Sequence, residues 1–358
     1  MDKYVEGNMN INENIKNTYR VKDQTLRADY LRLDMNENPE GLPETFFNKV
    51  ISLITPQMLS TYPQKKNLIN LIAKKEKVNQ DNISLVNGSD EGIKLIFETF
   101  TQPKHKVVTA IPGFEMYKVY CDMFGLEHVG IPYNRQFEIN IKQLIANIDE
   151  NTDLVVLLNP NSPIGTVYTE EEIEAIITKA QTCGAMVIID EAYYYFGARS
   201  YLSYINKYSN VLVLRTFSKL CSIAGVRIGF IAGHKEWIHY IDNAQLTYNV
   251  NAIGILFAEQ LMLNPKVIEE LIRIEKEGRE YLIEKLRSNH YEYYAQEGNY
   301  ILFKTRKSPK TIKNLLEKEK ILIKTYGSDL LKDWIRVTTG SKIIMSRFWE
   351  ALSRLEEQ

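Results

Sequence analysis

Short β-rich runs recur through the middle of the chain, at Val107–Ala110, Leu154–Leu158, Met186–Ile189, Val211–Leu214 and Arg227–Ala232. Amphipathic stretches lie between several of them. In Glu170–Cys183, for example, Ile173, Ile176, Ile177 and Ala180 fall at helical spacing. This alternation is the tightest constraint on the fold, because strand–helix–strand units pair their strands in parallel and cover the sheet with helices. Residues 253–289 read as long helix, interrupted near Pro265. The tail then returns to mixed elements: a strand at Tyr300–Lys304, a Lys-rich helix at 310–320, strands at 321–324 and 334–338, and a last helix from about 342. The first 30 residues are polar and Asn-rich and read as an arm. With 358 residues the chain is long enough for two domains. The expected division is a large domain over residues 46–255 and a smaller α+β domain from residues 1–45 and 256–358.

Charge and cysteine usage narrow the function classes. Lys and Arg number 44 against 45 Asp and Glu, a net charge of −1, which argues against binding nucleic acid through overall basicity. The opening residues lack the apolar core of a signal peptide, and no apolar run approaches the roughly 20 residues needed to span a bilayer. Three cysteines exclude a disulfide framework and suit a reducing cytoplasm. Neither they nor the five histidines show metal-ligand spacing, so no metal site is expected.

In an open parallel sheet, ligands bind beyond the carboxyl ends of the strands. Asn159-Pro160-Asn161-Ser162-Pro163-Ile164-Gly165 follows the second run, Asp190-Glu191-Ala192-Tyr193 the third, and Arg215-Thr216-Phe217-Ser218-Lys219 the fourth. Each piece has a bland reading: Asn-Pro and Pro-x-Gly form turns, an Asp at a strand end caps a helix, and a Lys after a strand is a solvated charge. Their convergence on one sheet edge argues for a site. A lysine, a carboxylate and a phenol together suit pyridoxal 5'-phosphate. The lysine forms a Schiff base, the carboxylate keeps the pyridine nitrogen protonated, and the phenol bonds the ring's 3-oxygen. The phosphate needs helix N-terminal amides, hydroxyls and a cation. Ser89-Asp90-Glu91 after Gly88 can supply the amides, and Thr216, Ser218 and Arg227 the rest.

With these residues in order, the chain resembles the fold-type I, class I/II aminotransferases, and most of all the histidinol-phosphate aminotransferase family. The resemblance runs along nearly the whole chain, from Leu33–Gly41 through Tyr62-Pro63, Gly88–Glu91, Pro112–Tyr117, Asn159–Gly165 and Asp190–Tyr193. It continues through Arg215–Lys219, Ala224–Gly229, Tyr248–Asn251 and Gly298–Tyr300 to Ile335–Val337. Asp190 and Lys219 stand 29 positions apart. The fold this implies is a mostly parallel seven-stranded sheet between helices, with a smaller α+β domain. The resemblance implies Lys219 as Schiff-base lysine and proton carrier, Asp190 as partner of the ring nitrogen, Tyr193 at the 3-oxygen and Phe114 stacked on the ring. Ser89, Asp90, Glu91, Ser218 and Arg227 would hold the phosphate, with Thr216 a weaker candidate. Tyr62 would reach the phosphate of a second subunit, so a homodimer with shared active sites is implied. Arg336 would bind the substrate's acidic group, and Tyr19, Asn36, Asn38 and Lys324 complete the expected substrate contacts.

Three departures bear on substrate. Ser162 stands where the family usually has an Asn that contacts the cofactor, leaving open whether Ser162 or Asn161 serves there. Lys324 stands near the usual place of a second arginine, and a lysine lacks the guanidinium fork. Ser341-Lys342-Ile343-Ile344-Met345 replaces the family's usual acidic, Asn-containing stretch. These features lead to the expectation of a transaminase that moves an amino group from a small-molecule donor to a small, phosphorylated or anionic carbonyl acceptor. A decarboxylase of a phosphorylated amino acid uses the same residues and is the second reading, and a non-catalytic structural protein is the third.

Overall fold

The computed structural model describes residues 11–16, 18 and 26–357; Tyr19 and much of the expected arm lie outside the described residues. Twelve strands are described, in two sheets. They are β1 Leu31–Leu33, β2 Ile83–Val86, β3 Lys106–Ile111, β4 Glu127–Pro132, β5 Thr152–Leu158, β6 Met186–Asp190, β7 Val211–Thr216, β8 Gly229–Gly233, β9 Tyr293–Tyr294, β10 Tyr300–Phe303, β11 Ile321–Thr325 and β12 Ile335–Thr338. The larger sheet has seven strands in the order β2-β8-β7-β6-β5-β3-β4. All pairings are parallel except those of β8, which runs antiparallel to both β2 and β7.

Period-two alternation sorts the large sheet's side chains between two cores. Val155, Leu157, Val187, Ile189, Val211 and Val213 pack in one core with the helix Glu170–Thr182. Leu154, Val156, Leu158, Ile188, Leu212 and Leu214 pack in the other with the helices Ser89–Phe100 and Met116–Phe124. Both faces are therefore apolar, and the strands read as near-continuous apolar runs, as a buried parallel sheet requires. Thr169 and Glu172 cap the Glu170–Thr182 helix reciprocally.

The second sheet has the order β1-β11-β12-β10-β9. Leu33, Ile301, Phe303, Ile321, Ile323, Ile335 and Val337 form a core with the helices Pro309–Lys318 and Lys342–Glu357 and the C-terminal part of Pro265–Ser288. Arg336 alternates with Ile335 and Val337, so it stands on the face away from that core, opposite Lys324 on β11 and Leu302 on β10. Leu302 packs with Ala110, Ile164 and Trp334 in a small cluster that joins the two sheets.

Ile255, Phe257, Ala258, Leu261, Ile268 and Leu271 belong to a large-sheet core, whereas Leu282 and Leu286 belong to the small-sheet core. The helix Pro265–Ser288 thus passes from one core to the other, beyond the division expected at 255/256. Among the described residues, no helix is long and apolar enough to cross a membrane.

Candidate active site

The carboxyl ends of β5, β6 and β7, adjacent in the sheet, carry Asn159–Gly165, Asp190–Tyr193 and Thr216–Lys219. Parallel pairing puts these three segments at one edge. Asp190 is the last residue of β6 and is 4% exposed. Its carboxylate accepts from the Tyr117 hydroxyl at 2.8 Å and from the Ala192 amide at 3.0 Å. Burial pushes the carboxyl up to about 6. The charge of Glu191 acts in the same direction, while these hydrogen bonds and the Lys219 charge oppose it.

Lys219 is half-buried and donates to the Met35 carbonyl at 3.0 Å. Its Nζ lies 5.5 Å from the centre of the Tyr193 ring. The Tyr193 hydroxyl accepts from Asn36 Nδ2 at 2.8 Å. Burial alone would raise this phenol; the charges of Lys219 and Arg336 and the hydrogen bonds of Asn36 and Ser162 outweigh it, leaving the pKa below its ordinary value.

A second group of predicted residues gathers beside the N-terminus of the helix Ser89–Phe100. Thr216 Oγ1 donates to Ser218 Oγ at 2.9 Å and accepts from the Ser218 amide at 3.1 Å, which shapes the turn leading to Lys219. Arg227 donates to Ser218 Oγ at 3.3 Å. Gly88 precedes the helix with φ +77°, and a side chain there would run into the Arg227 guanidinium. A Cβ at Gly229 on β8 would meet the Arg215 carbonyl at 2.7 Å and the Ser89 amide nitrogen at 3.1 Å. Glycine at both places lets helix end, arginine and strand close into a cradle. The first amides of a helix have no intrahelical acceptor, so this cradle offers N–H donors, a hydroxyl and a cation to an anion. The carboxylates of Asp90 and Glu91 are held elsewhere: Asp90 accepts from the Tyr120 hydroxyl, and Glu91 from the Asn87 amide and Asn249. Their contribution to the cradle is confined to backbone amides.

Arg336 brings the small sheet to the same place. It is 7% exposed, donates to Ser162 Oγ at 3.4 Å and to the Asp34 carbonyl at 2.5 Å, and its Nε is buried without a protein partner among the described residues. Tyr326, 6.0 Å from the guanidinium by its ring centre, likewise has a buried hydroxyl with no such partner. A buried donor left unpaired costs on the order of 1–3 kcal/mol, so these two groups leave hydrogen-bonding capacity for a ligand. Phe114 is 43% exposed and packs edge-on against Tyr117, the residue that bonds Asp190. A cavity of about 240 Å³ lies here, lined by Phe114, Tyr117, Asn161, Pro163, Tyr326 and Ser328 among others.

Several expected residues also make contacts within the protein that the sequence did not show. Asn36, expected to touch substrate, is 1% exposed and committed to the protein, donating to Tyr193 and accepting from Thr338 Oγ1 at 3.2 Å. Asn38 donates to Ser222 Oγ and the Leu220 carbonyl. The Asn161 side chain donates to the Pro112 carbonyl beyond β3 and accepts from the Ile164 amide within its own turn. Ser162, in contrast, stands among Arg336, Tyr193 and Tyr300. Lys324 is half-buried and meets Arg336 in register on the neighbouring strand. Tyr62 is 71% exposed and stacks on Tyr248, with ring centres 4.2 Å apart. Sequence reasoning missed Tyr117, Tyr300 and Tyr326 as parts of the site. Tyr117 and Tyr300 closed two of the recognised motifs, which was the available signal; Tyr326 gave none.

Comparison with known proteins agrees with this geometry. The model of the family "Aminotransferase class I and II" matches residues 28–352. A histidinol-phosphate aminotransferase of Syntrophus aciditrophicus is 31% identical over 344 residues, covering 94% of this chain and 95% of that protein. Histidinol-phosphate aminotransferase 3 of Mesorhizobium japonicum is 30% identical, covering 92% and 89%. Among solved structures, the histidinol-phosphate aminotransferase of Clostridium acetobutylicum superposes with a TM-score of 0.82 at 26% identity, covering 91% of this chain and 99% of that one. The Sinorhizobium meliloti histidinol-phosphate aminotransferase, solved in complex with pyridoxal-5'-phosphate, shares the fold with a TM-score of 0.82 at 21% identity over 91% of this chain and 90% of its own. With its seven-stranded sheet, its lysine, aspartate and tyrosine at one strand edge and this match over most of its length, the chain belongs to the class I and II aminotransferase family.

Proposed function

We propose that this protein is a pyridoxal-phosphate-dependent transaminase for a small, phosphorylated or otherwise anionic, amine and its carbonyl counterpart. The observation that carries the reading is the placement of Asp190, Tyr193 and Lys219 between an anion cradle at one end and the buried, unpartnered Arg336 Nε at the other. The names of the relatives support the phosphorylated substrate. The cofactor fits the residues present. The amides of Ser89, Asp90 and Glu91 with Ser218 and Arg227 would hold its phosphate, Asp190 its ring nitrogen and Tyr193 its 3-oxygen, with Phe114 against the ring. When bound, it supplies an electron sink for a carbanion at the substrate Cα.

The protein's own groups then have separable tasks. Lys219 would hold the cofactor through its amine, and as a free amine it would carry the proton to and from the substrate Cα. The carboxylate of Asp190 would keep the ring nitrogen protonated, and Tyr193, its phenol pKa below the ordinary value, would stabilise negative charge at the 3-oxygen. Arg336 binds the substrate's acidic group, with Lys324 on the neighbouring strand adding a point charge. Thr216, Asn36 and Asn161 act through the residues they bond.

The reading includes a homodimer in which Tyr62, exposed on its own subunit, completes the partner's phosphate site. It also includes a cytoplasmic location, supported by three free thiols. We place the division between the large and small domains inside the helix Pro265–Ser288, where its apolar residues change cores.

The test is to mix purified protein with candidate amino acids and follow the cofactor spectrum together with carbon dioxide. The expected result is the pyridoxamine form without gas. Stoichiometric gas with the starting spectrum retained would overturn transamination in favour of decarboxylation.

A further inference from the structure

One residue beyond Asp190 stands a second buried carboxylate. Glu191 is 1% exposed, and its Oε2 lies 2.8 Å from Arg215 Nε. Arg215 belongs to β7, next to β6 in the sheet, and is 4% exposed. Its Nη1 is 2.8 Å from Glu76 Oε1, at the end of the helix Lys66–Glu76. Its Nη2 donates to Ser200 Oγ at 2.5 Å, and its guanidinium lies 3.8 Å from the centre of the Tyr194 ring. Glu191 in turn accepts from Ser200 Oγ and from the Tyr201 amide. One guanidinium therefore fastens both ends of the segment 191–201, which carries Tyr193, and counters two carboxylates. No role for this cluster follows from the reaction described above.

We propose that Arg215 is a positioning residue for the reaction: by neutralising Glu191 it keeps the neighbouring Asp190 an anion, and by tying segment 191–201 it fixes Tyr193. This rests on the reading of Asp190 as the partner of the ring nitrogen. Removing one member of a buried ion pair leaves the other charge uncompensated, and Glu191 is the nearest carboxylate to Asp190 along the chain. The Glu191 charge raises the Asp190 carboxyl, and Arg215 is the largest influence opposing burial at Glu191. Asp190 is also faced by the Tyr117 hydroxyl, the Ala192 amide and Lys219, and Arg215 by Glu76, Glu191, the Ser200 hydroxyl and the rings of Tyr194 and Phe230.

The test compares Arg215→Met, Arg215→Lys, Glu191→Gln and the double variant Glu191→Gln/Arg215→Met in cofactor-loaded protein. Asp190 is followed by its side-chain carboxyl carbon-13 shift against pH, and the ring nitrogen by its nitrogen-15 shift. Arg215→Met is expected to raise the Asp190 midpoint by about one pH unit or more, the size of shift a close charge produces. The ring nitrogen signal should move toward the unprotonated form. Arg215→Lys should stay near the parent. The double variant should return toward the parent, because the uncompensated carboxylate is gone. Glu191→Gln alone, which keeps the guanidinium, should lower the midpoint, and it reads the coupling even if Arg215→Met does not fold. A double variant as displaced as Arg215→Met, or an Asp190 midpoint unmoved in every variant, would overturn the proposal. An Asp190 midpoint that moves while the ring nitrogen signal does not would overturn the pairing of Asp190 with the ring, and the proposal with it.

Discussion

Asp190 carries a cost that its place in the site explains. Burial holds its carboxyl near 6 in the folded protein against an ordinary value of 3.8. A group raised in this way favours the folded state below its unfolded pKa, and the advantage is lost as pH rises through the folded value. At neutral pH the ionised Asp190 therefore works against folding of the cofactor-free protein, by at most roughly 3 kcal/mol at about 1.4 kcal/mol per unit. Asp190→Asn should melt higher than the parent in cofactor-free form at pH 7 to 8, with the difference vanishing below about pH 4, while turnover falls by orders of magnitude. A melting curve that is unchanged between those pH values would show that the ionised carboxyl carries no such cost. At this scale the gathering of Lys219, Asp190 and Tyr193 at one sheet edge was legible in the sequence, because each follows a strong β run. The bonds of Tyr117 to Asp190 and of Asn36 to Tyr193 were not legible, since the partners lie 73 and 157 positions apart and no local pattern encodes such pairs.

Among the elements, the helix Ser89–Phe100 and strand β8 meet only because Gly88 and Gly229 lack side chains. Gly88→Ala would strain a backbone at φ +77° by about 1 kcal/mol and displace the flexible Arg227 head from the cradle. We expect this variant to fold and to bind pyridoxal phosphate at least tenfold more weakly by equilibrium dialysis; unchanged affinity would mean that Arg227 does not hold the phosphate. The elements themselves were mostly readable. The helix expected over Glu170–Cys183 spans Glu170–Thr182, and the break near Pro265 separates the helices Ala252–Leu263 and Pro265–Ser288. Strands β2 and β4 escaped notice for physical reasons. β2 is four residues long with a serine inside it, and the outer strand β4 carries His128, Gly130 and Pro132 with only Ile131 buried.

For the whole molecule, the shared-site reading predicts complementation. Leu59, Tyr62, Leu246 and Tyr248 are all more than half exposed, and two of them stack on each other, which suits a surface covered by another subunit. Tyr62→Ala and Lys219→Ala chains mixed under conditions of subunit exchange should regain activity above the sum of the two parents. The limit is about a quarter of the unaltered enzyme, since half the dimers are hybrids with one intact site each. A monomer by light scattering would end the shared-site reading. The parallel sheet was legible from the alternation and a second unit from the mixed tail, but where one core hands over to the other was not, because a continuous amphipathic helix shows no change of period at that point. The stretch from Asp34 to Asn38 spans both sheets in another way. The Asp34 carbonyl receives Arg336, the Met35 carbonyl receives Lys219, Asn36 bonds Tyr193, and Asn38 bonds Ser222. Four of five consecutive residues each serve a different group, so their spacing is fixed like teeth on a key. Although irregular in conformation, this is a stretch in which the gene can accept neither an inserted nor a deleted codon, and a substitution most readily at Met35, which serves through its carbonyl.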